Sequence, residues 1–255
     1  MISVINKIAE RIENRVFYYK ENILKRKSLA QLKQNANCKT IILHNRNEKN
    51  YLSSLCDKYG SDKGELMSKG HPYIWLSHSY TDYYSRLLEQ FRYNIQNVFE
   101  CGIGSTNPNI PTNMGNQYTP GASLRVWMDY FPNANIFGAD IDRNVLFEEK
   151  RIKTFYVDQT NSKSIIEMWN EIGVENIDFI LDDGLHTFDA GCCLFENSIS
   201  KLSKNGIYII EDVQIADLLM YQTYFSSKEY LVDYVILHRK KIKLTNNNLV
   251  VIKRQ

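Results

Sequence analysis

From residue 96 onward, short apolar runs alternate with stretches of helical spacing, and this alternation leaves few folds open. Strands are expected at Asn97–Cys101, Asn135–Asp140, Thr154–Asp158, Ile177–Leu181 and Gly206–Glu211, with helices over 121–131, 143–150, 162–171, 188–203 and 213–226. A strand that returns through a helix to a neighbouring strand closes as a parallel crossover. The five strands therefore read as one doubly wound α/β sheet. Two further strands, Tyr230–His238 and Asn248–Lys253, flank the turn Leu244-Thr245-Asn246-Asn247, which is too short for a crossover helix. They are expected to pair as an antiparallel hairpin.

The segments before residue 96 differ. Ile5, Ile8, Ile12, Val16, Tyr19 and Ile23 recur every three or four residues, one apolar face of an amphipathic helix. Residues 1–34 carry eight Lys/Arg against three Glu, whereas the rest of the chain is net −3. Such a basic helix suits packing on its own domain or on a second subunit before a membrane surface or nucleic acid. Residues 51–95 read as helices and an aromatic-rich loop. The chain thus divides into a helical extension (1–50), a helical lid or cap (51–95) and a ligand-binding domain (96–255).

Several function classes are disfavoured. No apolar run approaches the ~18 residues of a membrane span, and the N-terminus has no continuous apolar core of a secretory signal. The acidic balance after residue 34 and the lack of an N/D-P-P-Y/F motif give no sign of a nucleic-acid partner. None of the five cysteines forms a C-x-x-C pair, and adjacent Cys192 and Cys193 read as small buried hydrophobes. A reducing, cytoplasmic setting is expected.

In open α/β sheets, ligands bind beyond the carboxyl ends of the strands. Here those ends read Glu100-Cys101-Gly102, Ala139-Asp140, Asp158-Gln159, Asp182-Asp183-Gly184-Leu185-His186 and Glu211-Asp212. Any one carboxylate there could be a turn former or helix cap. Five in register point to a ligand site. The first turn, G-I-G-S-T-N, lacks the third glycine of a pyrophosphate loop. Asp140 follows Gly102 by 38 residues, where a dinucleotide fingerprint needs about 20. A glycine turn under an amino-acid moiety, with a carboxylate for two ribose hydroxyls, fits S-adenosylmethionine better.

The stretch ECGIGSTNPNIPTNMG…PGASLRVWMDYFPNANIFGADID, followed by DQT, DDGLH and IIEDV, resembles the sugar O-methyltransferases of macrolide and capsule biosynthesis, with the mycinamicin and rhamnosyl types among them. The upstream KYGSDKG (Lys58–Gly64) and H-S-Y-T-D-Y-Y (His78–Tyr84) look like the same family, and the similarity spans roughly residues 55–215. The resemblance implies a Rossmann-like class I methyltransferase three-layer sandwich that uses S-adenosylmethionine and Mg²⁺. It implies that Asp140 binds the ribose and that Glu100, Gly102 and Ser123 line the methionine end. Asp158 and Gln159 would meet the adenine, and Asp182 completes the cofactor set. Asp183 and Asp212 would hold the metal, and His186 would be the general base, with Asp183 and His186 as catalytic residues. A further metal ligand, a glutamate in some members, has no assigned position.

These roles agree with the chemistry. A sugar hydroxyl is a weak nucleophile, so a base must take its proton as the C–O bond forms, and histidine suits that near neutrality. Carboxylate oxygens favour a hard cation such as Mg²⁺. The expected substrate is a small sugar, nucleotide-linked or glycan-attached, and the expected assembly is a homo-oligomer. A phosphoramidate, amine or phenol acceptor, and a non-catalytic binding protein on this fold, remain as alternatives. His78, Tyr80, Thr81 and Tyr84 fit either an aromatic core face or a lid. Asp62 and Lys63 fit either an exposed loop pair or a working part of the K-Y-G-S-D-K-G motif, Arg125 reads as an ion-pair partner before a substrate contact, and the polar insertion 106–118 as a lid or a substrate-facing wall.

Overall fold

The computed structural model describes residues 23, 27, 30, 40–44, 49–64, 70–73, 75–238 and 244–255. A nine-stranded sheet runs through the described chain: β1 (Thr40–His44), β2 (Asn97–Cys101), β3 (Asn135–Asp140), β4 (Glu148–Glu149), β5 (Ile152–Tyr156), β6 (Ile177–Asp182), β7 (Leu202–Ile210), β8 (Tyr230–Leu237) and β9 (Asn248–Arg254). Their order is β1-β8-β9-β7-β6-β2-β3-β5-β4. Strands β5, β3, β2, β6 and β7 are mutually parallel, and β8 and β9 form the expected antiparallel hairpin, with β9 seated against β7. From β2 the chain first winds outward through β3 and β5, then returns to β6 on the other side. The strand order therefore reverses between β2 and β6, where doubly wound sheets open a crevice.

Side chains alternate across each strand, so the sheet has two cores. Phe99, Ile180, Tyr208 and Val250 face one, whereas Val98, Phe179, Leu181, Ile209 and Val251 face the other. Helices α1 (Tyr51–Tyr59), α2 (Tyr80–Leu88) and α3 (Ala122–Tyr130) cover the second face through Leu52, Tyr84, Leu88, Leu124 and Trp127. Helices α4 (Ser162–Ile172), α5 (Phe188–Ser198) and α6 (Asp217–Phe225) cover the first. In α4, Ile165, Met168, Trp169 and Ile172 are the buried stripe. Asn161 caps the start by accepting from the Lys163 and Ser164 amides, and Gly173 at φ +67° ends it.

Some expected elements differ. The helix expected over 143–150 is a short 3₁₀ turn at Arg143–Val145 followed by β4. Asp142 caps the Asn144 amide, and the chain then turns to pair antiparallel with β5. The helix expected to reach 203 stops at Ser198, and β7 begins at Leu202, paired with Ile177 across a register shift. Ser203 Oγ donates to Asp178 there, anchoring the early start. Strand β5 begins two residues before the expected Thr154. In the segment read as a purely helical extension, Thr40–His44 is a strand parallel to β8. Of the amphipathic helix only Ile23 is described; it is helical, like Lys27 and Ala30, and all three are exposed. The rest of that helix lies outside the described residues.

Candidate active site

Pairing register brings the strand ends to one edge: Cys101 faces Ala139 and Asp182, and Asp182 faces Ile210. A cavity of about 530 Å³ opens there, within the usual range for small-molecule sites. Gly102, Ser123, Asp140, Asp158, Gln159, Asp183, His186 and Asp212 all line it. So do Asn109, Met114 and Tyr118 of the polar insertion.

The glycine turn is built by backbone crowding. Gly102 has φ +88°, and a Cβ there would lie 2.0 Å from the Asp183 carbonyl oxygen. Only glycine lets β2 and β6 exit this close together. Asp140 then organises the turn: one carboxylate oxygen accepts from the Ile103 amide at 3.0 Å and the other from the Asp142 amide at 2.9 Å. Asp142, outside the expected set, accepts from Ser105 Oγ at 2.5 Å, which holds its pKa below the usual carboxylate value. Gln159 donates to Asp182 at 2.6 Å and accepts from the Leu185 amide at 2.8 Å, tying the third strand end to the fourth.

Two residues expected to touch the cofactor lie outside the cavity lining. Glu100 is fully buried beneath it, accepting from Trp127 Nε1 at 2.9 Å. Burial pushes its pKa up to about 7, against the opposing pull of Lys63. Asp182 is also buried, bonded to Gln159 and to the Gly184 amide, with its pKa pushed up by burial to about 6. Both sit at the carboxyl ends of their strands, but strand pleat sends them to opposite faces: Glu100 pairs with Leu181, on the face of Trp127, whereas Asp182 pairs with Cys101, on the other.

Asp183, His186 and Asp212 come together. Their ligand atoms lie within 4.8 Å of one another. His186 Nε2 is 3.3 Å from Asp183 Oδ1 and 3.5 Å from Asp212 Oδ2. His186 (φ 59°) and Asp212 (φ 55°) are the non-glycine residues with positive φ among those described. Backbone strain of about 1–3 kcal/mol each is thus concentrated at this cluster. Burial disfavours a charged His186, but Asp212, Asp183 and Asp182 outweigh it and push its pKa up to about 10. Asp183 is held well below the usual carboxylate range: burial opposes ionisation, and Lys63 and His186 overcome it.

Several partners were not in the expected site. Lys63 is not an exposed loop residue. It is 2% exposed, and its ammonium contacts Asp183 at 2.6 Å, Glu100 at 3.1 Å and Glu211. Tyr84 donates to the far oxygen of Glu211 at 2.6 Å. Tyr80 donates to Asp212 Oδ1 at 3.0 Å, and His78 Nε2 lies 3.2 Å from the same oxygen. Asn246, from the turn before β9, donates to it at 2.6 Å. The K-Y-G-S-D-K-G and H-S-Y-T-D-Y-Y motifs mark Lys63, His78, Tyr80 and Tyr84 as candidates, yet no local pattern reveals what each meets. Nothing in the sequence marks Asn246. Arg125 forms the expected ion pair, with Glu149 at 2.6 Å.

No protein-family model matches the chain. The chain is 29% identical over 163 residues to an 8-demethyl-8-alpha-L-rhamnosyl tetracenomycin-C 2'-O-methyltransferase of Streptomyces olivaceus, covering 64% of this chain and 38% of that protein. It is 30% identical over 164 residues to a demethylmacrocin O-methyltransferase of Streptomyces fradiae, covering 63% and 38%. It is 28% identical over 162 residues to a mycinamicin VI 2''-O-methyltransferase of Micromonospora griseorubida, again covering 63% and 38%. The chain therefore spans well under half the length of these curated relatives. Among solved structures, the MycE methyltransferase of the mycinamycin biosynthetic pathway, in complex with Mg and SAH, superposes with TM-score 0.57 at 20% identity, covering 81% of this chain and 55% of that one. The architecture is that of the class I methyltransferases, and the similarity read from the motifs is to sugar O-methyltransferases.

Proposed function

We propose that this protein transfers a methyl group from S-adenosylmethionine to a sugar hydroxyl, with a divalent metal, Mg²⁺ by preference, at Asp183 and Asp212. One observation carries the reading: Asp183, His186 and Asp212 converge on the wall of the same cavity that holds the Gly102 turn, Asp140 and the Asp158–Gln159 pair. The relatives named for sugar O-methylation and the Mg- and SAH-bound MycE structures support it.

The residues suit both groups. Asp183 and Asp212 each offer one carboxylate oxygen, within 4.8 Å of each other and of the His186 nitrogen, and form an oxygen donor pair for a hard cation that leaves the imidazole as base. The cavity supplies a carboxylate over the glycine turn and an amide-bearing wall at Gln159, which suit the polar ends of S-adenosylmethionine. When bound, the metal supplies positive charge that holds vicinal sugar hydroxyls and lowers their pKa.

The chain's own residues do the rest. Transfer breaks the sulfonium C–S bond and forms the C–O bond, and His186 Nε2 takes the hydroxyl proton; the products are S-adenosylhomocysteine and a methyl ether. In the cation-free protein His186 keeps its own proton up to about pH 10, held by the neighbouring aspartates. A proton on His186 and a cation at the aspartates thus compete for one pocket of negative charge, and His186 acts as base once that charge is otherwise balanced. The insertion 106–118 forms one wall and helps exclude water. The acceptor we infer is a nucleotide-linked or glycan-attached sugar, of the capsule type.

Calorimetric titration of S-adenosylhomocysteine into the purified protein, with Mg²⁺ and with EDTA, tests the reading. Micromolar binding in both conditions is expected, with Mg²⁺ then required for turnover on nucleotide sugars. No binding in either would sink the methyltransferase assignment.

A further inference from the structure

The two aspartates of the cluster are held in the same way, although different parts of the chain hold them. Asp183 gives its Oδ2 to Lys63 and keeps Oδ1 towards His186. Asp212 gives its Oδ1 to Tyr80, Asn246 and His78 and keeps Oδ2 towards His186. In each case one oxygen is fixed from behind and the other faces the cluster.

Asn246 is the unforeseen member of this arrangement. It lies between β8 and β9, where the sequence predicts nothing more than a turn. Its side-chain amide nitrogen is 2.6 Å from Asp212 Oδ1, and its main-chain carbonyl lies 3.1 Å from the Tyr80 hydroxyl, a second acceptor for the one proton that Tyr80 can give to Asp212. Tyr80 in turn accepts from the Asp212 amide at 3.1 Å. Asn246, Tyr80 and Asp212 therefore form a closed ring of polar contacts, and Asn246 also lines the cavity. The next residue fastens the turn. Asn247, 1% exposed, donates to Ser79 Oγ at 2.9 Å and to the Leu237 carbonyl at 2.9 Å, and accepts from the Ser79 amide at 3.1 Å. The turn is thus docked on the segment that leads into α2, and Asn246 is not free to swing away.

Asp212 needs such a restraint. Its backbone sits at φ 55°, a conformation that an aspartate leaves readily unless its surroundings over-determine it. An amide donor on Oδ1 fixes the carboxylate plane and directs the Oδ2 lone pairs to the cluster.

We propose that Asn246 is a positioning residue for Asp212, making the C-terminal hairpin turn a working part of the cation site. The proposal rests on the cation reading given above and deepens it. Loss of a hydrogen-bonding partner behind a metal ligand typically lowers metal affinity by about 10–100-fold.

The test is Mn²⁺ binding to the full chain, followed by the electron paramagnetic resonance of the free ion, for the unaltered protein and for Asn246→Ala. A loss of about tenfold or more, with the melting temperature close to that of the parent, is the expected result. A merely structural turn residue would shift the melting temperature and leave Mn²⁺ affinity within about threefold, and that outcome overturns the proposal. Should Asn246→Ala fail to fold, Asn246→Ser keeps a turn-forming side chain whose hydroxyl is too short to reach Asp212, and the same criterion applies. Tyr80→Phe removes the hydroxyl donor on the same oxygen and should weaken Mn²⁺ in the same direction. Absence of Mn²⁺ binding by the unaltered protein would overturn the cation site and Asn246's part in it. S-adenosylhomocysteine titration judges the methyltransferase reading separately.

Discussion

His186 is the residue on which most of the chemistry turns, and its environment gives a signed prediction. Its pKa in the folded, cation-free protein is raised from 6.5 to about 10, so the proton binds the folded state more tightly than the unfolded one. The stability it contributes is full below pH 6.5 and is lost as pH rises through about 10. Nuclear magnetic resonance titration of the imidazole without metal should show a midpoint far above that of a free histidine. Adding Mg²⁺ should lower it, because the ion competes with the proton for the same aspartates. His186→Ala should reduce kcat by about 10²–10⁴-fold, the usual contribution of a general base. It should leave S-adenosylhomocysteine affinity nearly unchanged, and a parallel loss of cofactor binding would place His186 in a different role. Gly102→Ala makes the opposite separation. A Cβ at 2.0 Å from the Asp183 carbonyl cannot be accommodated without parting β2 from β6, so cofactor affinity and melting temperature should fall together.

At the scale of elements, the helices are specified by local signals and tolerate local changes. Asn161 accepts from two amides at the start of α4, which lies on the face of the sheet where Trp169 and Phe99 pack. Asn161→Ala should cost about 1 kcal/mol, read as a fall of about 2–4 °C in melting temperature, with no change in cofactor binding. The elements whose expected form differs from the observed one are those that the sheet recruits. Residues 148–149 have no strand pattern of their own; they are strand because β5 offers an open edge, and Thr154 bonds the backbone of Phe147 to hold the turn. Strand β7 begins early because pairing with Ile177 offers hydrogen bonds that the last turn of α5 would forgo.

At the scale of the whole molecule, a buried charge cluster gathers Lys63, Asp183, Glu100 and Glu211. Lys63 links the segment before α2 to the ends of β2, β6 and β7, so it couples the cap to the sheet. Burial works against its charge, but the three carboxylates hold its pKa well above the ordinary lysine value. Lys63→Met would leave those carboxylates without their cation. Breaking a buried pair in this way costs about 3–5 kcal/mol, measurable by denaturant unfolding. The penalty should depend on pH with a fixed sign. Glu100 has a folded pKa raised from 4.5 to about 7, so it favours the fold below pH 4.5 and ceases to do so as pH rises through 7. Without Lys63 that effect grows, and the variant should lose far more stability at pH 8 than at pH 5. Equal losses at both values would show that Lys63 acts through packing alone.

The sequence by itself determined the alternating strands and helices, the antiparallel hairpin at the C-terminus and the carboxylate at the end of each central strand. These depend on periodicity and on turn residues, which are properties of neighbours in the chain. It also carried Asp183, His186 and Asp212 as a group, because two of them share one strand exit and parallel pairing must bring the third alongside. Tertiary structure decided the rest. Which way the Glu100 and Asp182 side chains point depends on strand pleat, and both lie outside the cavity lining, on opposite faces of the sheet. That Lys63 is a buried counter-ion 120 residues from Asp183, and that Asn246 bonds Asp212 across 34, follows from how the cap and the hairpin turn dock on the sheet edge. Contacts between residues so far apart leave no period or motif in a single sequence, because the energy that fixes them is paid out only when the whole sheet has closed.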